Sequence, residues 1–325
     1  MFKRDTLKIV LDDEHILFGG TAPSRVVRGH VLLSINSTVK IKSVDLSFEG
    51  TVVIRGKENG SIHFQNTLLS RGWQFLGLSG EPRLFSTGIY KYHFELLLNT
   101  SLPDSVFTKH GSIQYLFYAR ANRTGFRRTL NDTKQIYIQH PMPIETEQAL
   151  IKTGELESKL RFYVLAPTSR YKLGDEIPVR IGTKPLLDDI RITKITLALY
   201  EGTKYRTPNG WSSTYSHQIT GISSPWPTSS SELLEQTLRL YIPNTLSCIQ
   251  IDCCSIFYQI KHTLDIIINL IDEARNRKAI VIRVPIHLAS CFTDYDNELP
   301  SYEGVLTAPP EYATAELCPP YSSRA

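Results

Sequence analysis

The chain has no long apolar run, little helix-forming sequence, only two methionines and only a small excess of positive charge. Its longest near-apolar stretch, LDIIINLI from Leu264 to Ile271, is far too short to cross a bilayer as a helix. The first residues, MFKRDTLKIVLDDEH, start basic but have no apolar segment before Asp12 and Asp13, so a secretory leader is not expected. The 36 Lys and Arg against 32 Asp and Glu leave a formal charge of +4, too small to argue for nucleic acid. Five cysteines (Cys248, Cys253, Cys254, Cys291 and Cys318) form no disulfide framework and suit a reducing compartment. Cys248 and the Cys253–Cys254 pair lack C-x-x-C spacing and read as buried thiols rather than a metal or redox site. The sequons at Asn36, Asn59, Asn99, Asn122 and Asn131 read as turn chemistry in a chain expected to stay in the cytoplasm.

Catalytic patterns are missing as well. The chain contains no G-x-S-x-G elbow, H-E-x-x-H, P-loop or G-x-G-x-x-G. The nine histidines are scattered singly, with His30 and His93 on polar phases of expected strands. Asp12-Asp13-Glu14 and Asp188-Asp189 read as turn acids rather than paired catalytic carboxylates. No enzyme, metal or cofactor is expected.

What is present is alternation with a period of two. In YKYHFELLL (Tyr90–Leu98) the even positions are apolar or aromatic, while Lys91, His93 and Glu95 point the other way. Ile113, Tyr115, Phe117 and Ala119 repeat the pattern, as do Leu264, Ile266, Ile268 and Leu270, and then Ile280 to Leu288. Each such strand buries one face and wets the other. With frequent Gly, Pro, Asn and Ser turns, this specifies an all-β fold of two β-sandwich domains and a disordered C-terminal tail. The expected organisation is a first sandwich over 1–140, a hinge over 141–158, a second sandwich over 159–292 and a tail over 293–325. Only Glu145 to Lys159 has helix-friendly composition, and Gly154 interrupts it.

Three stretches carry a resemblance. VKIKSVDLSFEG (Val39–Gly50) is similar to an "I-K-S-(apolar)-x-L-x-F-x-G" strand. GIYKYHFELLL (Gly88–Leu98), then Leu102-Pro103-Asp104-Ser105, then Gly111 to Tyr115 follow the order strand, "L-P-x-S", "G-x-I-x-Y". In the second half, Tyr171 to Pro178, Ile190 to Glu201 and Ile260 to Leu264 match "G-D-x-I-P", "I-x-K-I-x-L-x-L-x-E" and "H-x-L". Together they resemble the arrestin family, in its fungal and animal α-arrestin branch, across nearly the whole expected folded body. The resemblance implies two immunoglobulin-like sandwiches joined by a hinge. Gly50 and Gly174 suit turns, and Leu102-Pro103 suits a loop that ends a strand.

The tail holds the most specific functional signal. Pro309-Pro310-Glu311-Tyr312 is a P-P-x-Y motif, the ligand type of WW domains. Adjacent prolines pre-form a polyproline II segment, so little entropy is lost on docking into an aromatic groove, and the tyrosine ring fills a neighbouring pocket. Leu299-Pro300-Ser301-Tyr302 is the variant with leucine first, and Cys318-Pro319-Pro320-Tyr321 keeps Pro319 and Tyr321 but places cysteine at the leading position. The tyrosines stand about ten residues apart, roughly 30 Å when extended at ~3.1 Å per residue, which lets two WW domains of one partner bind together.

The resemblance implies an adaptor that holds a WW-domain HECT-type ubiquitin ligase by its tail. Its body then touches plasma-membrane transporters or receptors, which are ubiquitylated, endocytosed and sorted. The protein would be cytoplasmic and recruited to the plasma membrane and endosomes. Lys3, Arg4, Lys8, Arg25, Arg28, Lys40 and Lys42 could form a basic face for acidic cargo, or simply wet strand faces. Two other readings stay open: an arrestin-shaped trafficking scaffold without ligase recruitment, and a secreted β-sandwich lectin or carbohydrate-active enzyme.

Overall fold

The computed structural model describes residues 4–19, 23–55, 62–77, 81–125, 128–140, 149–186, 190–207, 210–212, 214–227, 233–272 and 274–289. Among them there is no helix, and the regular elements are all strands. The first half comprises β1 (Thr6–Leu11), β2 (His15–Leu17), β3 (Ser24–Ile35), β4 (Val39–Arg55), β5 (Ile62–Leu76), β6 (Arg83–Phe85), β7 (Gly88–Asn99), β8 (Val106–Thr108), β9 (Gly111–Arg123) and β10 (Leu130–Gln139). The second half comprises β11 (Leu150–Leu156), β12 (Leu160–Ala166), β13 (Arg170–Lys172), β14 (Glu176–Pro185), β15 (Ile190–Thr207), β16 (Gly210–Trp211), β17 (Tyr215–Pro225), β18 (Leu234–Tyr241), β19 (Cys253–Cys254), β20 (Tyr258–Asp272) and β21 (Arg277–Ala289).

Each half forms a sandwich of one small and one large sheet. The first packs β1-β3-β7 against a seven-stranded sheet ordered β2-β10-β9-β4-β5, with β6 on β4 and β8 on β9. The second packs β11-β12-β14-β18 against β13-β21-β20-β15-β16, with β17 on β15 and β19 on β20. Sequence alternation explains the layers. On β7 the even residues turn inward and Lys91, His93 and Glu95 outward. On β9, Ile113, Tyr115, Phe117 and Ala119 are at most 2% exposed. Along β4 the inward phase changes from Val39 and Ile41 to Val44, Leu46 and Phe48, and a register shift between Ile41 and Ser43 accounts for it.

The helix-friendly stretch corrects that expectation. Within the span expected as a hinge, Leu150–Leu156 is an edge strand paired with β12 from Leu150↔Ala166 to Leu156↔Leu160. A tight turn drives the reversal: Glu157 and Ser158 take positive φ, 47° and 56°, and the Lys159 amide donates to Leu156 O. Gly154 fits because the Phe162 ring lies over it, where a Cβ would come within 2.3 Å. Residues 141–148 lie outside the described set.

Gly50 is a second correction. It sits inside β4, not in a turn, because the Tyr115 ring covers it and a Cβ would meet that ring at 2.7 Å. Gly174 does occupy a turn, at φ +90°. Of the sequons, Asn122 and Asn131 lie within β9 and β10 rather than in turns, and Asn59 is outside the described residues.

The sandwiches meet at a seam of aromatic and amide contacts. The Tyr258 hydroxyl, fully buried, reaches Val53 O at 3.0 Å and His110 O at 3.2 Å. The His110 ring packs on Tyr205 and Tyr215, with centroids 5.0 and 4.4 Å away. The Phe107 amide donates to Gln250 Oε1 of the second sandwich at 3.0 Å.

Candidate functional site

Three sets of residues are candidates for function: the tail motifs, the basic strand faces, and the polar groups that the fold buries. The tail motifs Leu299, Pro300, Tyr302, Pro309, Pro310, Tyr312, Pro319 and Tyr321 all lie outside the described residues. Their chemistry is that of the sequence alone.

The basic positions of the first sandwich do not form one patch. Lys8 and Arg28 face outward from β1 and β3 on the three-stranded sheet, where Arg28 Nε donates to Glu95 Oε1 at 2.9 Å. Lys40 and Lys42 are exposed on β4 of the other sheet. Arg25 is exposed at the start of β3, and Lys3 lies outside the described residues. His30 and His93 face outward in direct register, with ring centroids 5.6 Å apart.

A cation-rich groove that the sequence reading missed lies on the second sandwich. It encloses about 570 Å³ on the open face of β15, β20 and β21, with Lys204, Lys261 and Arg283 around Gly202. Asp265, buried beneath, holds Arg283 through two hydrogen bonds of 3.0 Å. Gly202 has ordinary backbone geometry, so its contribution is the dip left by a missing side chain. Lys204 and Lys261 sit diagonally on adjacent strands, where like charges repel unless an anion lies between them. The groove can attract an anionic segment.

The cysteine reading needs correction. Cys253 is buried, but Cys248 and Cys254 are exposed. Cys253 and Cys254 are consecutive on β19, so alternation must turn one outward. Hydrogen bonds from Thr245 and Ser247 lower the Cys248 thiol below its ordinary range. Asp12 to Glu14 connect β1 to β2, as turn acids should, while Asp188 and Asp189 lie outside the described residues. Among the described residues no three His, Cys, Asp or Glu side chains are grouped to hold a metal.

The family-like stretches acquire definite jobs. Tyr115 donates its hydroxyl to Pro103 O at 2.7 Å, and Ser105 exchanges hydrogen bonds with Ile138. Asp104 accepts from the His140 amide at 2.7 Å and meets its ring Nδ1 at 2.6 Å. The L-P-D-S loop therefore clamps the end of β10, where the chain leaves the first sandwich. On the second sandwich, Lys172 N donates to Asp175 Oδ2 at 2.7 Å, closing the turn at Gly174.

Comparison with protein-family models matches residues 7–140 to the N-terminal domain of arrestin (or S-antigen). The first sandwich is thus similar to an arrestin N-terminal domain. The chain is similar to an arrestin domain-containing protein of Schizosaccharomyces pombe, 23% identical over 334 residues that cover 91% of this chain and 56% of that one. It is also similar to the HECT-type ubiquitin ligase-interacting protein apyA of Emericella nidulans, 28% identical over 209 residues, 59% of this chain and 56% of that one. The HECT-type ubiquitin ligase-interacting protein creD of the same organism is 23% identical over 217 residues, 59% of this chain and 35% of that one. The chain spans about half the length of the curated relatives it matches. These relatives are named for a domain or an interaction and not for a reaction.

Proposed function

We propose that the chain is an adaptor that brings a WW-domain HECT-type ubiquitin ligase to plasma-membrane transporters or receptors, promoting their ubiquitylation, endocytosis and sorting. The observation that carries this reading is Pro309-Pro310-Glu311-Tyr312, with Leu299-Pro300-Ser301-Tyr302 close before it, behind an arrestin-like body. Relatives named for interaction with HECT-type ligases support it. The protein supplies proximity: the tail holds the ligase, and the body holds cargo. Lys204, Lys261 and Arg283 give the body a groove suited to an acidic cargo segment. The site of action is the cytoplasmic face of the plasma membrane and of endosomes.

The test is a pull-down of the full chain with isolated WW domains. Tyr312→Ala should lower capture by tenfold or more, and adding Tyr302→Ala should abolish it, since paired motifs gain ~10²–10⁴ in avidity. Undiminished capture by the double variant would remove the ligase from the proposal and leave an arrestin-shaped trafficking scaffold.

A further inference from the structure

Glu201 and His262 are 61 residues apart in sequence, yet they stand in direct register on β15 and β20. Both point inward; the His262 side chain is 0% exposed and that of Glu201 5%. His262 Nδ1 meets Asp252 Oδ1 at 2.5 Å, and Nε2 faces Glu201 Oε2 at 3.5 Å with no hydrogen-bond partner of its own. At 2.5 Å from a carboxylate, Nδ1 must carry a proton. In a neutral ring, Nε2 would then turn a lone pair toward the Glu201 carboxylate. Only the imidazolium presents an N–H to both, so this geometry is built around a charged ring.

The cluster is wired to the seam. Asp252 Oδ1 accepts from the Leu288 amide and Oδ2 lies 3.3 Å from His287 Nδ1, which ties the loop before β19 to β21. Glu201 Oε2 accepts from the Gln250 amide at 2.8 Å. Gln250 in turn donates Nε2 to Leu246 O and accepts from the Phe107 amide of the first sandwich. The ring thus adds to the pairing of β19 with β20 and to the Asp252 N–Leu288 O bond in holding segment 246–254, which grips the other sandwich.

We propose that His262, Asp252 and Glu201 form a proton-set latch between the two sandwiches. When His262 is charged, segment 246–254 is fixed and Gln250 holds Phe107. When His262 loses its proton, two buried carboxylates are left without their cation, the segment detaches, and the sandwiches gain freedom. An uncompensated buried charge is costly, so the equilibrium moves strongly. Other groups around the cluster are His287 on Asp252, His217 near Glu201, and Asp104 beyond Cys253, itself paired with His140. Burial pushes the Cys253 thiol up, so it stays neutral throughout this range.

The direction follows from the charges. Burial alone would lower His262, but Asp252 and then Glu201 outweigh it and hold the ring above the ordinary histidine value of 6.5. The latch is therefore complete below 6.5 and released as pH rises through the folded value. This stands independently of the tail.

Hydrogen exchange of the full chain between pH 5.5 and 8.5, corrected for intrinsic rates, tests it. Segments 104–110 and 246–254 should lose about tenfold protection or more in one step above pH 6.5, a factor of ten per pH unit for one proton. His262→Gln should remove the step. Because that variant leaves two buried carboxylates and can unfold the second sandwich, Glu201→Gln is the second arm. Its amide can donate to a neutral ring, so protection should persist at pH 8. His140→Gln should retain the wild-type step. A flat wild-type profile, an unchanged step in Glu201→Gln, or loss of the step in His140→Gln would each overturn the latch.

Discussion

The centre of the first sandwich is aromatic: Phe48 and Phe117 meet with centroids 4.7 Å apart, Phe94 lies 5.2 Å from Phe117, and Trp73 lies tilted 5.5 Å from Phe94. The centre of the second is aliphatic, with Ile195, Leu197 and Leu199 of β15 against Leu264, Ile266 and Ile268 of β20. Ring packing is directional and large in area, so shape can fix how the first core fits together. Branched aliphatics interchange more easily. β20 also carries Ile267 between Ile266 and Ile268, so a one-residue slip would still put isoleucine inward. Polar groups supply what shape does not. Glu201 opposite His262, and Asp265 holding Arg283, pin β20 at places where a slipped register would strand a charge. The first sandwich is held by fit, and the second partly by ionic addresses.

The largest expected effect breaks the aromatic side of this contrast. Phe117→Ala should cost the first sandwich about 3–5 kcal/mol, while Ile268→Val should cost the second only about 0.5–1.5 kcal/mol. Denaturant titration with hydrogen exchange assigned to each half reads the two separately. Equal losses in both halves for Phe117→Ala would show that the sandwiches unfold as one unit.

Much of this fold could be read from alternation, because half-buried strands carry their burial pattern in the sequence. Tyr90 to Leu98, Ile113 to Ala119 and Leu264 to Leu270 behave as their period requires. Leu150 to Leu156, within a helix-friendly stretch, forms a strand instead, since composition reports a local preference while the turn at Glu157 and Ser158, with β12 as partner, decides the outcome. Gly50 was misplaced because its constraint is the ring of Tyr115, distant in sequence. The buried cluster was also missed, although a signal existed: Glu201 and His262 fall on inward phases of their strands, between Leu199 and Thr203 and between Ile260 and Leu264. Ionisable residues on the apolar phase of two strands are candidates for each other. The WW-type motifs are the reverse case, legible in sequence and lying outside the described residues.

A smaller effect tests the join between the two halves. Tyr258→Phe removes the hydroxyl that reaches Val53 O and His110 O without changing the ring's packing. The loss should be about 1 kcal/mol, the net value of one hydrogen bond. It should show as weaker coupling: the midpoint of the less stable half falls, and that of the other half stays. If both midpoints fell by the same amount, the halves would unfold as one unit and the hydroxyl would not be a join between separable transitions.

The smallest effect compares the histidines on either side of that seam. His140 resembles His262 in pairing with a carboxylate, but its side chain is 34% exposed, and its second nitrogen meets the carbonyl of Thr100 at 2.8 Å, where His262 meets a second carboxylate. The hydrogen bond to Asp104 raises His140 above 6.5 against the effect of burial. Its extra stability is thus full below 6.5 and fades as pH rises through the folded value. Solvent screening at a site this open keeps the contribution to about 0.5 kcal/mol. His140→Gln should therefore lower the midpoint of the first sandwich slightly at pH 6 and leave it unchanged at pH 8.5. A loss of equal size at both pH values would assign His140 a packing role against Phe18, whose ring lies 5.1 Å away, and no electrostatic one.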